Sequence, residues 1–120
     1  MVQKPNPMKL RLFIAFFLAF NMLIAQQKSE TPTLDKAGNI IGYYQKEDLQ
    51  QGVFKDWYDF SYDYYTADEA MVKELKSLLK KVEIKVFMGT WCHDSQEQVP
   101  VFYNILDACD FKYKKIQNIG

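Results

Sequence analysis

The sequence predicts an α/β fold, and three observations carry that prediction. Residues 66–81 place apolar side chains at helical spacing, residues 82–89 are a β-branched and apolar run stopped by Gly89, and residues 95–108 return to helical spacing. A helix, a strand and a second helix joined by short turns are the parts from which a sheet with helices packed on its faces is built.

The chain opens with Lys4, Lys9 and Arg11, followed by an apolar run over residues 12–25 that only Asn21 interrupts and that ends in the small residue Ala25. Basic head, short apolar stretch and small terminal residue are the three parts of a secretory signal. The stretch is shorter than the ~20 residues a membrane-spanning helix needs. Residues 1–25 are therefore expected to be a signal peptide, with the protein exported to a periplasmic or extracellular space. Left uncleaved, the same segment would anchor it. The segment holds three of the fifteen basic residues and no acidic one, which leaves twelve against fifteen in the mature part. Nothing in that balance suggests a nucleic-acid or anionic-membrane surface, and no stable membrane association is expected after cleavage. Two cysteines, Cys92 and Cys109, are too few for a disulfide scaffold even in an oxidising compartment.

Residues 26–65 are expected to form an amino-terminal extension. It is polar as far as Pro32, and Gly38 and Asn39 supply a turn between strands near residues 33–34 and 40–44. Residues 45–65 show no period and are dense in aromatics, among them Phe54, Trp57, Phe60 and Tyr64. They are expected to be a loop-rich cap on the core, a ligand or peptide groove being the other reading. Thr66 and Glu69 stand at capping-box positions, so a helix is predicted from Thr66 to about Lys81. Val72, Leu75, Leu78, Leu79 and Val82 recur at helical steps as its apolar face, and its lysines are expected to be a solvated surface near the negative end of the helix dipole. In the helix predicted over residues 95–108, Val99, Phe102, Tyr103, Leu106 and Cys109 fall near one face.

The turn between the strand and this last helix reads "GTWCHDSQEQVP". A helix's first N–H groups have no partners within the helix and carry partial positive charge, which stabilises a thiolate at that end. Cys92 stands there, and a cysteine so placed can titrate anywhere from roughly 3.5 to 7.5 instead of about 8.5. Ser95 follows one helical turn later and can donate to the sulfur. His93, the only histidine, would favour the thiolate if protonated and could move a proton if neutral. Asp94 opposes the thiolate by charge, yet suits a helix amino terminus. Three successive residues cannot all ligate a metal and no second ligand cluster accompanies them, so neither a metal nor a cofactor is expected. A hydrolytic Cys–His pair is disfavoured because adjacent residues in a turn point apart.

Together "FMGTWCHDSQEQVPVFYNILD" resembles the active-site region of the thioredoxin superfamily, in which a strand runs into W-C-x-x-C at the head of a helix. Trp91 directly precedes Cys92, and Pro100 lies eight residues after it, where that family carries the proline of this helix. The nearest likeness is to exported bacterial thioredoxin-like proteins with a W-C-x-D-S motif. The resemblance covers residues 33–120 and is strongest over 85–106. It implies a partial thioredoxin-like domain over residues 66–120, with Cys92, Ser95 and His93 catalytic, Trp91 contacting substrate, and Pro100 and Cys109 structural.

Two departures matter. Ser95 stands where the family has its second cysteine, and Cys109 cannot replace it, since seventeen helical residues separate the two sulfurs by roughly 20–25 Å whereas a disulfide needs Cα atoms within about 7 Å. The family's later elements, including a cis-proline before a hairpin, have no counterpart after "FKYKKIQNIG", which is expected to supply at most the start of one more strand. The chain is thus expected to be carboxyl-terminally truncated. The function expected is extracytoplasmic thiol–disulfide exchange of monothiol type, with protein or small-molecule thiols and disulfides as partners. The alternative is a binding or chaperone-like module of the same fold, with Trp91 and the aromatic segment as its contact surface.

Overall fold

The structure, a computed structural model, describes residues 31–120, so the predicted signal peptide lies outside the described residues. These residues form a mixed α/β unit built on a three-stranded sheet with a separate small hairpin. The hairpin pairs β1 (Thr33–Leu34) with β2 (Ile40–Ile41) antiparallel. Its loop is tied by Asp35, whose carboxylate accepts from the N–H groups of Ala37 and Asn39 at 2.8 and 2.9 Å, the local bonding that makes Asp a turn residue.

The strand expected over residues 40–44 is broken in two. Gly42 has φ 85°, in the left-handed region that side chains disfavour. The chain there leaves the hairpin, and β3 (Tyr43–Tyr44) joins the main sheet. Gly42 and Gly120 close this junction with reciprocal backbone hydrogen bonds of 3.0 and 2.8 Å.

The aromatic segment, expected to be irregular, is ordered. Two 3-10 turns, Lys46–Gln50 and Gly52–Phe54, lead into helix α1 (Lys55–Tyr64). Its buried side, Tyr58 and Ser61, lies against the later helix α3, and Phe60 and Tyr64 face water. Helix α2 (Glu69–Leu78) starts later than predicted: Asp68, not Thr66, is its cap and accepts from the Met71 N–H at 2.8 Å. Both are cap-competent residues, and the one that closes the bond decides the start. A 3-10 turn, Leu79–Lys81, finishes this helix where the lysines were expected to end it.

Strand β4 (Ile84–Phe87), helix α3 (His93–Ala108) and strand β5 (Ile116–Ile119) form a strand–helix–strand unit in which β4 and β5 pair in parallel. The sheet order is β3-β5-β4, with β3 antiparallel to β5. The last residues are therefore the middle strand of the described sheet. Parallel neighbours need a long crossover, and α3 is that crossover.

The core draws on Ile40, Tyr44, Leu49 and Tyr58 from the first half and on Met88, Tyr103, Leu106 and Phe111 from the second. Two polar groups inside it are paired: the Tyr103 hydroxyl donates to Asn118 Oδ1 at 2.8 Å, and the Asp48 carboxylate accepts from the Gln45 N–H at 2.7 Å. The buried Tyr58 hydroxyl has no partner among the described residues. One carboxylate near the end of α3 gathers three elements. Asp107 accepts from Lys46 Nζ at 2.7 Å, from the Tyr62 hydroxyl at 2.7 Å and from the Tyr113 hydroxyl at 2.6 Å. Lys46 also lies over the Tyr113 ring, 4.5 Å from its centroid.

Candidate functional site

The turn between β4 and α3 is held from three directions. The Met88 N–H donates to the Ile119 carbonyl at 3.0 Å, extending the β4–β5 pairing to the edge of the turn. Thr90 is buried, and its hydroxyl accepts from the Ile40 N–H at 3.0 Å, which ties the turn to the hairpin. The Gln96 side chain reaches back and donates to the Thr90 carbonyl at 2.7 Å. Thr90 and Gln96 were not singled out in the sequence, because their role depends on a partner fifty residues away in one case and on the turn's path in the other.

Helix α3 begins at His93, two residues before the predicted start, which makes Cys92 its N-cap residue. Cys92 has extended backbone, φ −87° and ψ 119°, and its carbonyl accepts the first intrahelical bond, from Gln96 N–H at 3.0 Å. Its side chain closes no formal cap hydrogen bond, so the sulfur remains available while facing the helix's unpaired N–H groups. The Ser95 N–H and then the Ser95 hydroxyl hold the thiol below its ordinary pKa, with a smaller contribution from the Asp94 N–H; desolvation and the Asp94 carboxylate oppose them. Ser95 Oγ itself accepts from the Gly89 N–H at 3.4 Å, which leaves its own proton free to point at the sulfur.

The predicted residues are brought together unequally. Cys92, Ser95 and Trp91 share the wall of one shallow hollow of about 380 Å³, with Phe87, Gly89 and Ile119. Trp91 is exposed and lies over Gly89: a β-carbon added there would stand 2.8 Å from Trp91 Cε2. His93 is not brought to the sulfur. It is exposed on the first turn, and its Nε2 stands 3.1 Å from Glu97 Oε1. Pro100 is buried inside α3, where it has no N–H for the Gln96 carbonyl. Cys109 is buried at the far end of the helix, its Sγ 3.9 Å from the Val72 carbonyl oxygen. Among the described residues no three or more His, Cys, Asp or Glu side chains converge as metal ligands do, and no helix is long and apolar enough to cross a membrane.

The contact between Gly89 and Trp91 gives a specific expectation. Gly89→Ala displaces the indole rather than the backbone, because an exposed ring can swing away. Acrylamide quenching of tryptophan fluorescence is expected to rise while stability falls by less than ~1 kcal/mol. A loss of several kcal/mol would mean that the backbone of the turn cannot tolerate the change.

No family model, curated protein or solved structure matches the chain.

Proposed function

We propose that this is a thioredoxin-like thiol–disulfide exchange protein of monothiol type, exported and acting on protein or small-molecule thiols and disulfides. One observation carries the reading: Cys92 stands at the N-cap of α3 as a free thiol, with the Ser95 N–H and hydroxyl lowering its pKa. The parallel β4–α3–β5 arrangement, with the cysteine at the strand-to-helix turn, Trp91 before it and Pro100 within the helix, supports the thioredoxin-like assignment. In the exchange, the Cys92 thiolate attacks one sulfur of a substrate disulfide. A Cys92–substrate disulfide forms, the substrate S–S bond breaks, and the second substrate sulfur leaves as a thiolate. A free thiol from solution or from another protein then attacks the mixed disulfide and restores the Cys92 thiolate. Ser95 serves as the donor that holds the attacking and, later, the departing thiolate.

Measuring the alkylation rate of Cys92 by iodoacetamide against pH tests this. The expected inflection lies below the ~8.5 of an ordinary cysteine, with faster reaction at pH 6 than an ordinary thiol shows. The protein is also expected to retain a mixed disulfide with glutathione, absent from Cys92→Ser. An inflection at ~8.5 or above would overturn the proposal.

A further inference from the structure

Phe60 and Tyr64 stand one turn apart on α1 with their rings stacked, centroids 6.2 Å apart and planes 15° apart. Both face solvent, at 74% and 84% exposure, while Tyr58 on the same helix is buried. Two adjacent aromatic rings left in water forgo the burial that favours such side chains, which marks a contact surface. With Tyr65 they line one wall of a groove of about 550 Å³ whose other wall is Glu97, Gln98 and Val101 of α3.

We propose that this groove docks a cationic, extended segment of the partner protein whose thiol or disulfide Cys92 exchanges; the partner's redox role rests on the function proposed above. The charge around the groove selects the occupant. Helices α1 and α3 together carry six carboxylates and a single lysine. Asp59 is paired with that lysine, Lys55, and Asp107 is paired with Lys46 away from the groove. Among the described residues Glu97 has only the His93 imidazole beside it, so the balance around the groove stays acidic. Glu97 is the charged side chain lining the groove, and Asp56, Asp63 and Asp94 are exposed on the same two helices. The chain's lysines concentrate elsewhere, on residues 73–81 and 112–115. A guanidinium or ammonium group is attracted to the face of an aromatic ring, and a neighbouring carboxylate adds a charge-assisted hydrogen bond. A neutral or anionic segment gains neither.

Helix geometry fixes the reach. Glu97 lies about 7.5 Å along the axis from Cys92 and Val101 about 13.5 Å, at ~1.5 Å per residue. An extended chain advances ~3.3 Å per residue. The occupant is therefore expected to carry its cationic residue two or three positions from the exchanging cysteine and an apolar residue about four positions away.

The test uses the full chain carrying Cys92→Ser and a fluorescein-labelled nonapeptide of glycine and serine with one arginine and one leucine. A counterpart with glutamine replaces the arginine, and binding is read by fluorescence anisotropy. The arginine peptide is expected to bind at least ~10-fold tighter than the glutamine peptide. Phe60→Ala and Tyr64→Ala are each expected to weaken binding ~10-fold, and Glu97→Gln ~3-fold. Circular dichroism and the melting temperature should be unchanged in all three, since these side chains are exposed. No binding at about 1 mM, equal binding of the two peptides, or binding that survives both aromatic substitutions overturns the proposal. So does a signal that tracks self-association of the chain in sedimentation. Because the Cys92→Ser chain cannot exchange, failure here leaves the thiol chemistry standing, and an ordinary Cys92 titration would leave the groove standing.

Discussion

Asp107→Ala is expected to lower the unfolding free energy by about 3 kcal/mol in urea denaturation, a large part of the total for a domain of this size. The substitution removes one acceptor from three donors at once: Lys46, Tyr62 and Tyr113. Lys46, with 13% of its side chain exposed, would keep only its 3.3 Å contact with the Tyr113 hydroxyl and its position over that ring. Stranding a partly buried ammonium costs more than the net worth of the pair it came from. Asp107→Asn, which retains an accepting oxygen, should lose about half as much. A change below ~1 kcal/mol for the alanine variant would show that water replaces the carboxylate at little cost.

The same carboxylate predicts a pH dependence with a definite sign. Burial pushes the Asp107 carboxyl up, but hydrogen bonds from Lys46, Tyr113 and Tyr62 outweigh it and hold the group below its ordinary value of 3.8. A pKa depressed in the folded state adds stability that is present above the unfolded value and is lost as pH falls through the folded one. The difference in stability between the native protein and Asp107→Ala should thus be constant from neutral pH to about pH 4 and shrink below it. A difference that grows as pH falls would contradict this.

Substitutions at Ser95 should change the chemistry most. Ser95→Ala keeps the backbone N–H that contributes most to lowering the Cys92 pKa and removes the hydroxyl that contributes next. The alkylation inflection should move up, and the rate at pH 6 should fall several-fold, because the thiolate fraction at that pH falls in proportion to the acidity of the thiol. Ser95→Cys places a second thiol one helical turn from Cys92, within one side chain's reach. The mixed disulfide is then resolved within the chain, and its lifetime should shorten on the order of 100-fold because the attacking thiol is already in place. Mass spectrometry of the glutathione adduct over time measures both variants. An unchanged lifetime in Ser95→Cys would place the two side chains on different sides of the turn.

Reading the chain in one dimension located the strand, the turn and helix α3 because their signals are local. Val99, Phe102 and Leu106 repeat at helical spacing, Gly89 ends the strand, and Cys92 must then fall at a helix head. Helix α1 was not legible. Its sequence, KDWYDFSYDY, is rich in aspartate and tyrosine, which favour a helix weakly, and its helical form is set by contact with α3. Tyr58 packs on Tyr103, and the Asn104 side chain donates to the Tyr62 carbonyl at 3.0 Å, both across more than forty residues. The groove between α1 and α3 follows from that same contact, so it was invisible until α1 had a place.

By itself, then, the sequence determined an α/β organisation and a single thiol at the amino end of a helix, since periodicity, a glycine stop and helix-end electrostatics act within a turn or two of chain. Only the tertiary structure decided that β5 lies between β3 and β4, that His93 turns to Glu97 and not to the sulfur, and that Asp107 joins three elements. The His93–Glu97 pair is a local i,i+4 contact whose choice over the sulfur follows from the helix starting at His93. The strand order and the Asp107 network depend on which distant groups satisfy a strand edge or a carboxylate, which the order of residues along the chain does not specify.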